Sequence, residues 1–389
     1  MFMNEREVQN ILIELLRVSL NEESVDVSVK EKLTPEVLIS VSNLAKRQDL
    51  AHIVAKFVHD NNVEIPCELW AKLQREEALS VYRYEQQKYA LTEICRTFDE
   101  SEISYIPLKG AVIRPFYPYE SMRTSCDIDI LIHESDLDFA VSKLESVGYR
   151  CKKRNYHDVS LFSPNNIHLE LHFSIKENMD NLDAVLEDVW SYAELSEGKR
   201  YSLKKEFFVF QIYAHMAYHF ISGGCGLKSL MDIWVLEHKM AAEYTLAEEL
   251  LKKAGIYKFA EEMSSLADKC FGIEKRDDFS DLVLGYIFKG GVYGSFQNKI
   301  AIQKNKSGNS AFYVLKRLFL PYKSMIILYP ILKKAPYLLP FCWILRWVKA
   351  LFGGKTKVLA TEITYINGVS ESLSSDIKEI HSRLGLRLK

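Results

Sequence analysis

The sequence predicts an α+β protein, a small mixed sheet with flanking helices embedded in a largely helical chain. Three observations carry this. Apolar residues recur at helical spacing through most of the first 99 residues and again from Glu177 onward. Between those stretches, residues 105–173 hold short runs that alternate apolar and polar with the period of two of a strand. Two of these runs are joined by Pro164-Asn165-Asn166, which reads as a hairpin turn.

In chain order, Asn4 is placed to cap a helix over 4–20, with Val8, Ile11, Leu12, Leu15 and Leu16 on its buried stripe. A second helical block spans Pro35 to Asn61, and a third runs from Cys67 to Asp99. A short strand follows at Tyr105 to Leu108, and Gly110 opens a helix. Asp127 to Ile132 alternates as a strand, with Asp127 and Asp129 on one face and Ile128 and Ile130 on the other. Glu134 to Val147 reads as an amphipathic helix begun by acidic residues and stopped by Gly148. Strands are expected at 149–153, 157–162 and 167–173, and helices from Glu177 to the end.

With 389 residues, 48% hydrophobic and 26% charged, the chain has ample material for a core and for two or three domains. The net charge of −2 conceals an asymmetry. Residues 282–361 contain no Asp or Glu but thirteen Lys or Arg, so the remainder is acidic. Seven scattered cysteines without a C-x-x-C pair argue for a reducing, cytoplasmic compartment and against a structural zinc site. The N-terminus lacks the apolar core of a signal peptide, and Lys333-Lys334 interrupts the longest apolar run, so neither secretion nor a membrane-spanning helix is expected.

The chemistry concentrates at Asp127-Ile128-Asp129. Two carboxylates on one strand face repel unless a cation lies between them, most often a divalent metal. Upstream, a glycine between strand and helix at Lys109-Gly110 lets the backbone approach a phosphate, whose charge meets the helix N-terminus and Lys109. On the strand IHLELHF, His168, Glu170 and His172 share a face, and Leu169, Leu171 and Phe173 share the other. Those three polar residues also admit a rival reading as a transition-metal site.

The string Leu108-Lys109-Gly110, Tyr117-Pro118, Arg123 and Asp127 to Leu131 resembles the uncharacterised nucleotidyltransferase family within the polymerase-β-like nucleotidyltransferase superfamily. Most of that superfamily carries Gly-Ser where this chain has Lys109-Gly110, and Lys-Gly is what the narrower family shows. The resemblance implies Asp127, Asp129 and Glu170 as catalytic metal ligands for two Mg²⁺ ions, with Mn²⁺ as a substitute. It implies Lys109, Gly110 and Arg123 as nucleotide-binding residues. His219, Lys228 and Asp232 would line the nucleotide or acceptor cleft, where His215 and His219, four apart, also invite a zinc reading without the intervening Glu of a metalloprotease. The implied activity is transfer of a nucleoside monophosphate from a nucleoside triphosphate to an acceptor hydroxyl. The rival expectation is a catalytically inactive scaffold of the same fold at a membrane surface.

The expected regions are an N-terminal helical region (1–99), the catalytic core (100–176), a helical domain closing the cleft (177–300) and a basic amphipathic region (301–389). In the last, the block from Phe312 to Phe352 interleaves aromatics and aliphatics with Lys and Arg, and prolines at 321, 330, 336 and 340 cut it into short pieces. Three readings stand: a segment lying on an anionic membrane, which would put the protein at the inner membrane face, a groove for nucleic-acid phosphates, and a helical layer packed on the core. Its apolar density weighs against nucleic acid. Glu362 to Lys389 reads as a closing helix, and nothing in the sequence specifies the acceptor.

Overall fold

The computed structural model describes residues 4–177, 179–292, 294–307, 318–352 and 371–386. Contacts divide the chain into two units, Met1–Tyr218 with Cys225–Val292, and His219–Gly224 with Tyr293–Lys389.

The first unit begins with α1 (Glu5–Asn21), where Asn4 and Glu7 form a reciprocal capping box that satisfies free backbone donors. A short α2 (Val27–Glu31) follows. The expected helical block over Pro35 to Asn61 consists of two helices, α3 (Pro35–Arg47) and α4 (Ala51–Asp60). The break falls at Asp49, whose positive φ of 57° leaves the right-handed helix region. Its carboxylate accepts from Thr124 Oγ1 at 2.7 Å, a tertiary contact that helical periodicity does not register. The long α5 (Cys67–Glu100) then leads into the sheet.

Strands β1 (Tyr105–Pro107), β2 (Asp127–Ile132), β3 (Arg150–Arg154), β4 (Asp158–Phe162), β5 (His168–His172), β6 (Ala193–Glu197) and β7 (Arg200–Leu203) form one mixed sheet in the order β3-β4-β5-β2-β1-β7-β6. β1 runs antiparallel to β2, and β5 runs parallel to it. The β4–β5 hairpin closes through the expected turn, with Asn166 at φ 64° and its N–H donating to Ser163 O at 2.9 Å. Helix α6 (Gly110–Ile113) lies between β1 and β2, and α7 (Leu137–Ser146) between β2 and β3, ending before Gly148 at φ 94°.

Ile128, Ile130, Leu169 and Leu171 are buried with Ile94 and Phe98 of α5 and Val141 and Leu144 of α7. At about 1.5–3 kcal/mol for each large apolar side chain removed from water, this packing holds the sheet face against those helices. The opposite face carries the polar set.

The β6–β7 hairpin departs from the expectation of unbroken helix after Glu177. Its residues are mostly polar and exposed, Leu195 included, so no apolar alternation marks them. What secures it is an anchor at Asp99, whose carboxylate accepts from Lys199 N at 2.8 Å, while Tyr105 N donates to Lys199 O at 3.1 Å. Gly198 (φ 54°) is required at this turn, since a Cβ there would lie 2.8 Å from Asp99 Oδ1.

Helix α8 (Asp180–Leu186) precedes this hairpin, and helices resume after it with α9 (Lys205–Ser222), α10 (Leu227–His238), α11 (Glu248–Ala254), α12 (Tyr257–Phe271) and α13 (Asp278–Gly290). In the second unit, Met325, Leu332 and Cys342 form a small core. The prolines do cut this stretch: helix Tyr322–Leu328 gives way to single turns at Pro330–Lys333 and Pro336–Leu338 before helix Leu339–Phe352. Residues 312–317 of the basic block, and 362–370 at the start of the expected closing helix, lie outside the described residues; that helix is described as Glu371–Arg383.

Candidate active site

The site starts from strand register. In the parallel β2–β5 pair Asp127 stands opposite His168, and Asp129 opposite Glu170. Because side chains alternate along both strands, all four project from the same sheet face. Two groups of oxygens and nitrogens result, Asp127 with His168 and Glu170, and Asp129 with Glu170 and His172, each with its ligand atoms within 4.8 Å of one another. Glu170 belongs to both groups.

Three cationic or polar neighbours converge on this face. Lys109 Nζ donates to Asp129 Oδ1 at 3.0 Å. His172 Nε2 lies 2.9 Å from the same oxygen and 3.6 Å from Glu170 Oε2. His168 Nε2 lies 2.7 Å from Ser160 Oγ on β4. Lys109 reaches Asp129 because the chain turns sharply after β1. Leu108 N still donates to Asp129 O at 3.0 Å, and Lys109 then takes φ 43°, a backbone conformation that disfavours a residue with a Cβ and stores strain at this turn.

The electrostatics follow from this crowding. Burial pushes the Asp129 carboxyl up, but Lys109 and the hydrogen bond from His172 override it and hold the group well below the usual carboxylate range. Asp127 is raised by burial and by the charge of Asp129. Glu170 is pushed up to about 7 by burial and by the charges of Asp127 and Asp129. Burial opposes the Lys109 charge, yet Asp129 more than restores it, and the ammonium is raised. Three carboxylates with one ammonium leave an excess of negative charge that a divalent cation would neutralise. Each of the two groups joins two carboxylates to one histidine, a donor set that could hold a metal ion.

Lys109 and His172, the two partners of Asp129, also line a cavity with His157, Glu177, Gln211 and His215. Glu177 Oε1 lies 3.2 Å from His215 Nδ1. Burial drives His215 well below its ordinary value, and Lys109 adds to the effect. The His157 and His172 rings stack with centroids 5.8 Å apart. Of these, the sequence singles out Lys109 at its turn, His172 by the period of two it shares with Glu170, and His215 by its spacing from His219; Glu177 sits in an irregular segment that carries no such signal.

The remaining expected residues sit differently. Gly110 makes room for a side chain of this protein, since a Cβ there would lie 2.7 Å from Arg123 Nη1. Arg123 donates through Nε and Nη2 to the two Asp232 oxygens at 2.9 and 2.8 Å, and Tyr117 Oη donates to Asp232 Oδ1 at 2.6 Å. This buried fork ties α10 to the segment entering β2. Lys228 Nζ donates to Thr124 O at 3.0 Å on the same segment. Arg114, pushed down to about 10 by burial and by Arg123, donates to Arg123 O, Gln87 and Ser125, and Ser125 Oγ donates to Asp127 O at 2.9 Å. His219 falls in the second unit.

The structure thus sets carboxylates and histidines that could hold a metal ion on one face of a mixed sheet, beside a strand, a turn and a short helix. The family model described as uncharacterised nucleotidyltransferase matches residues 39–272, more than half of the chain and all seven strands, and this protein belongs to that family. It is therefore a nucleotidyltransferase. No curated protein and no solved structure matches it.

Proposed function

We propose that this enzyme transfers a nucleoside monophosphate from a nucleoside triphosphate to an acceptor hydroxyl and releases pyrophosphate, with Asp127, Asp129 and Glu170 holding Mg²⁺. The supporting observation is the β2–β5 register, which sets Glu170 beside Asp129 and lets its carboxylate share one group of potential ligands with Asp127 and His168 and another with Asp129 and His172. Bound there, Mg²⁺ would neutralise the triphosphate and lower the pKa of the acceptor hydroxyl.

The protein's own share is positioning and charge. Lys109, already cationic beside Asp129, is within reach to steady the β- and γ-phosphates at the Lys109-Gly110 turn. As the acceptor oxygen bonds to the α-phosphorus, the α–β bridging bond breaks, the electron pair leaves with pyrophosphate, and Glu170 takes the acceptor proton. His172 orients Asp129 through their shared hydrogen bond. Arg123, Lys228 and Asp232 act at one remove, holding the 123–125 segment that feeds β2.

The test is incorporation of label from a panel of α-labelled nucleoside triphosphates into cell-extract acceptors, with Mg²⁺ and with chelator. Metal-dependent incorporation that disappears in Asp127→Ala is the expected result. Incorporation retained by that variant would assign the chemistry elsewhere.

A further inference from the structure

The basic block of the second unit leaves three readings open in sequence, and the exposure of its side chains separates them. Helix Leu339–Phe352 packs one side inward. Cys342 is buried there, Trp343 Nε1 donates to Leu320 O at 2.9 Å, and Trp347 Nε1 donates to Leu318 O at 2.9 Å. The opposite side presents Phe341, Ile344, Leu345 and Val348 at i, i+3, i+4 and i+7, exposed by 68, 52, 46 and 42%. Tyr337 and Ile331, in the turns before the helix, are exposed as well.

A surface helix of a water-soluble domain turns polar residues outward; one that is apolar all round belongs in a core or a membrane. With 14 residues this helix is about 21 Å long, short of the roughly 30 Å hydrocarbon layer. Among the described residues, no helix is long and apolar enough to cross a membrane. Such a stripe can be buried by lying along a surface. Charge identifies the surface: residues 282–361 carry thirteen Lys or Arg and no acid, and Lys333, Lys334 and Lys349 are exposed beside the stripe in sequence. A nucleic-acid groove needs stacking rings, whereas three of the four exposed stripe residues are aliphatic.

We infer that helix Leu339–Phe352 is an in-plane anchor for an anionic phospholipid bilayer. Phe341, Ile344, Leu345 and Val348 enter the acyl boundary, and Lys333, Lys334 and Lys349 meet the headgroup phosphates. The inference stands apart from the nucleotidyl-transfer site, and its test does not use turnover.

The full-length protein is sedimented with vesicles of phosphatidylcholine alone and of phosphatidylcholine mixed with phosphatidylglycerol. Binding is expected to require the anionic lipid and to weaken with salt. It should fall about tenfold or more in Phe341→Ser/Leu345→Ser and in Lys333→Glu/Lys334→Glu, the second pair leaving the apolar stripe intact. Circular dichroism checks that each variant is folded, and the lysine pair decides the matter if the serine pair is not. The inference is overturned by failure to bind anionic vesicles, or by binding that the folded variants leave unchanged. It is equally overturned by a solution dimer that the serine pair dissolves, or by RNA retention that replaces lipid binding and is lost in the lysine pair.

Discussion

His172 on β5 and Asp129 on β2 share a contact of 2.9 Å between Nε2 and Oδ1, on the oxygen that also accepts from Lys109 Nζ at 3.0 Å. One oxygen of the central carboxylate is thus held from two sides by the protein itself. The other oxygen and the neighbouring carboxylates are what remains for a cation. Asp129 is accordingly the most firmly ionised acid of the group, and Asp127 and Glu170, both raised, carry the strain of the shared negative charge.

Replacing Asp127 or Asp129 by Asn should lower nucleotidyl transfer by about a thousandfold or more, the several kcal/mol that a catalytic metal supplies. The Asp127→Asn protein should keep its melting temperature or gain slightly, because a mutual repulsion is removed. Label transfer and thermal melts together check this.

His172→Ala removes a partner from Asp129 without touching the substrate. The expected loss is about 10–100-fold in Mg²⁺ affinity, with a smaller effect on turnover at saturating metal. Calorimetric Mg²⁺ titration separates this from a merely structural role, which would lower stability and leave affinity intact.

Metal binding at the proposed site is expected to depend on pH through Glu170. Raised to about 7 in the folded chain, it holds a proton there at pH values where the unfolded chain has already lost it. In the metal-free protein its contribution to stability is therefore full below the ordinary carboxylate value and is lost as pH rises through about 7. A cation needs the ionised form, so the rise in melting temperature produced by Mg²⁺ should be larger at pH 8 than at pH 6. Glu170→Gln should flatten that difference.

Asp232→Ala strands the Arg123 guanidinium in a buried site and should cost about 3–5 kcal/mol in chemical denaturation, whereas Arg123→Met/Asp232→Leu should recover much of it. Gly110→Ala presses a methyl group against the same guanidinium, which its two bonds to Asp232 keep from moving aside. A loss of about 1–3 kcal/mol is expected. An effect of Asp232→Ala on nucleotide KM with unchanged stability would instead place Asp232 in the cleft.

Much of the candidate site is legible in local pattern. Asp127 and Asp129, and separately His168, Glu170 and His172, share a face because alternation along a strand is built into the backbone. The Asn4 cap and the Pro164-Asn165-Asn166 turn are equally local, the first set by a side chain bonding to nearby backbone and the second by the backbone bond from Asn166 N to Ser163 O. The β6–β7 hairpin was not legible, since its anchor is Asp99, about a hundred residues away, and its own residues bury little. Nor was the role of Arg123, whose partner Asp232 lies 109 positions further on.

The sequence by itself determined which side chains each strand offers to one face, and that the chain is helical around a small mixed sheet. Only the tertiary structure decided that Asp129 stands opposite Glu170, that Lys109 and His172 meet on one Asp129 oxygen, and that Arg123 is spent on Asp232. The reason is physical. Side-chain direction follows from covalent geometry within a few residues, whereas register and pairing between distant segments follow from which apolar faces can be buried together.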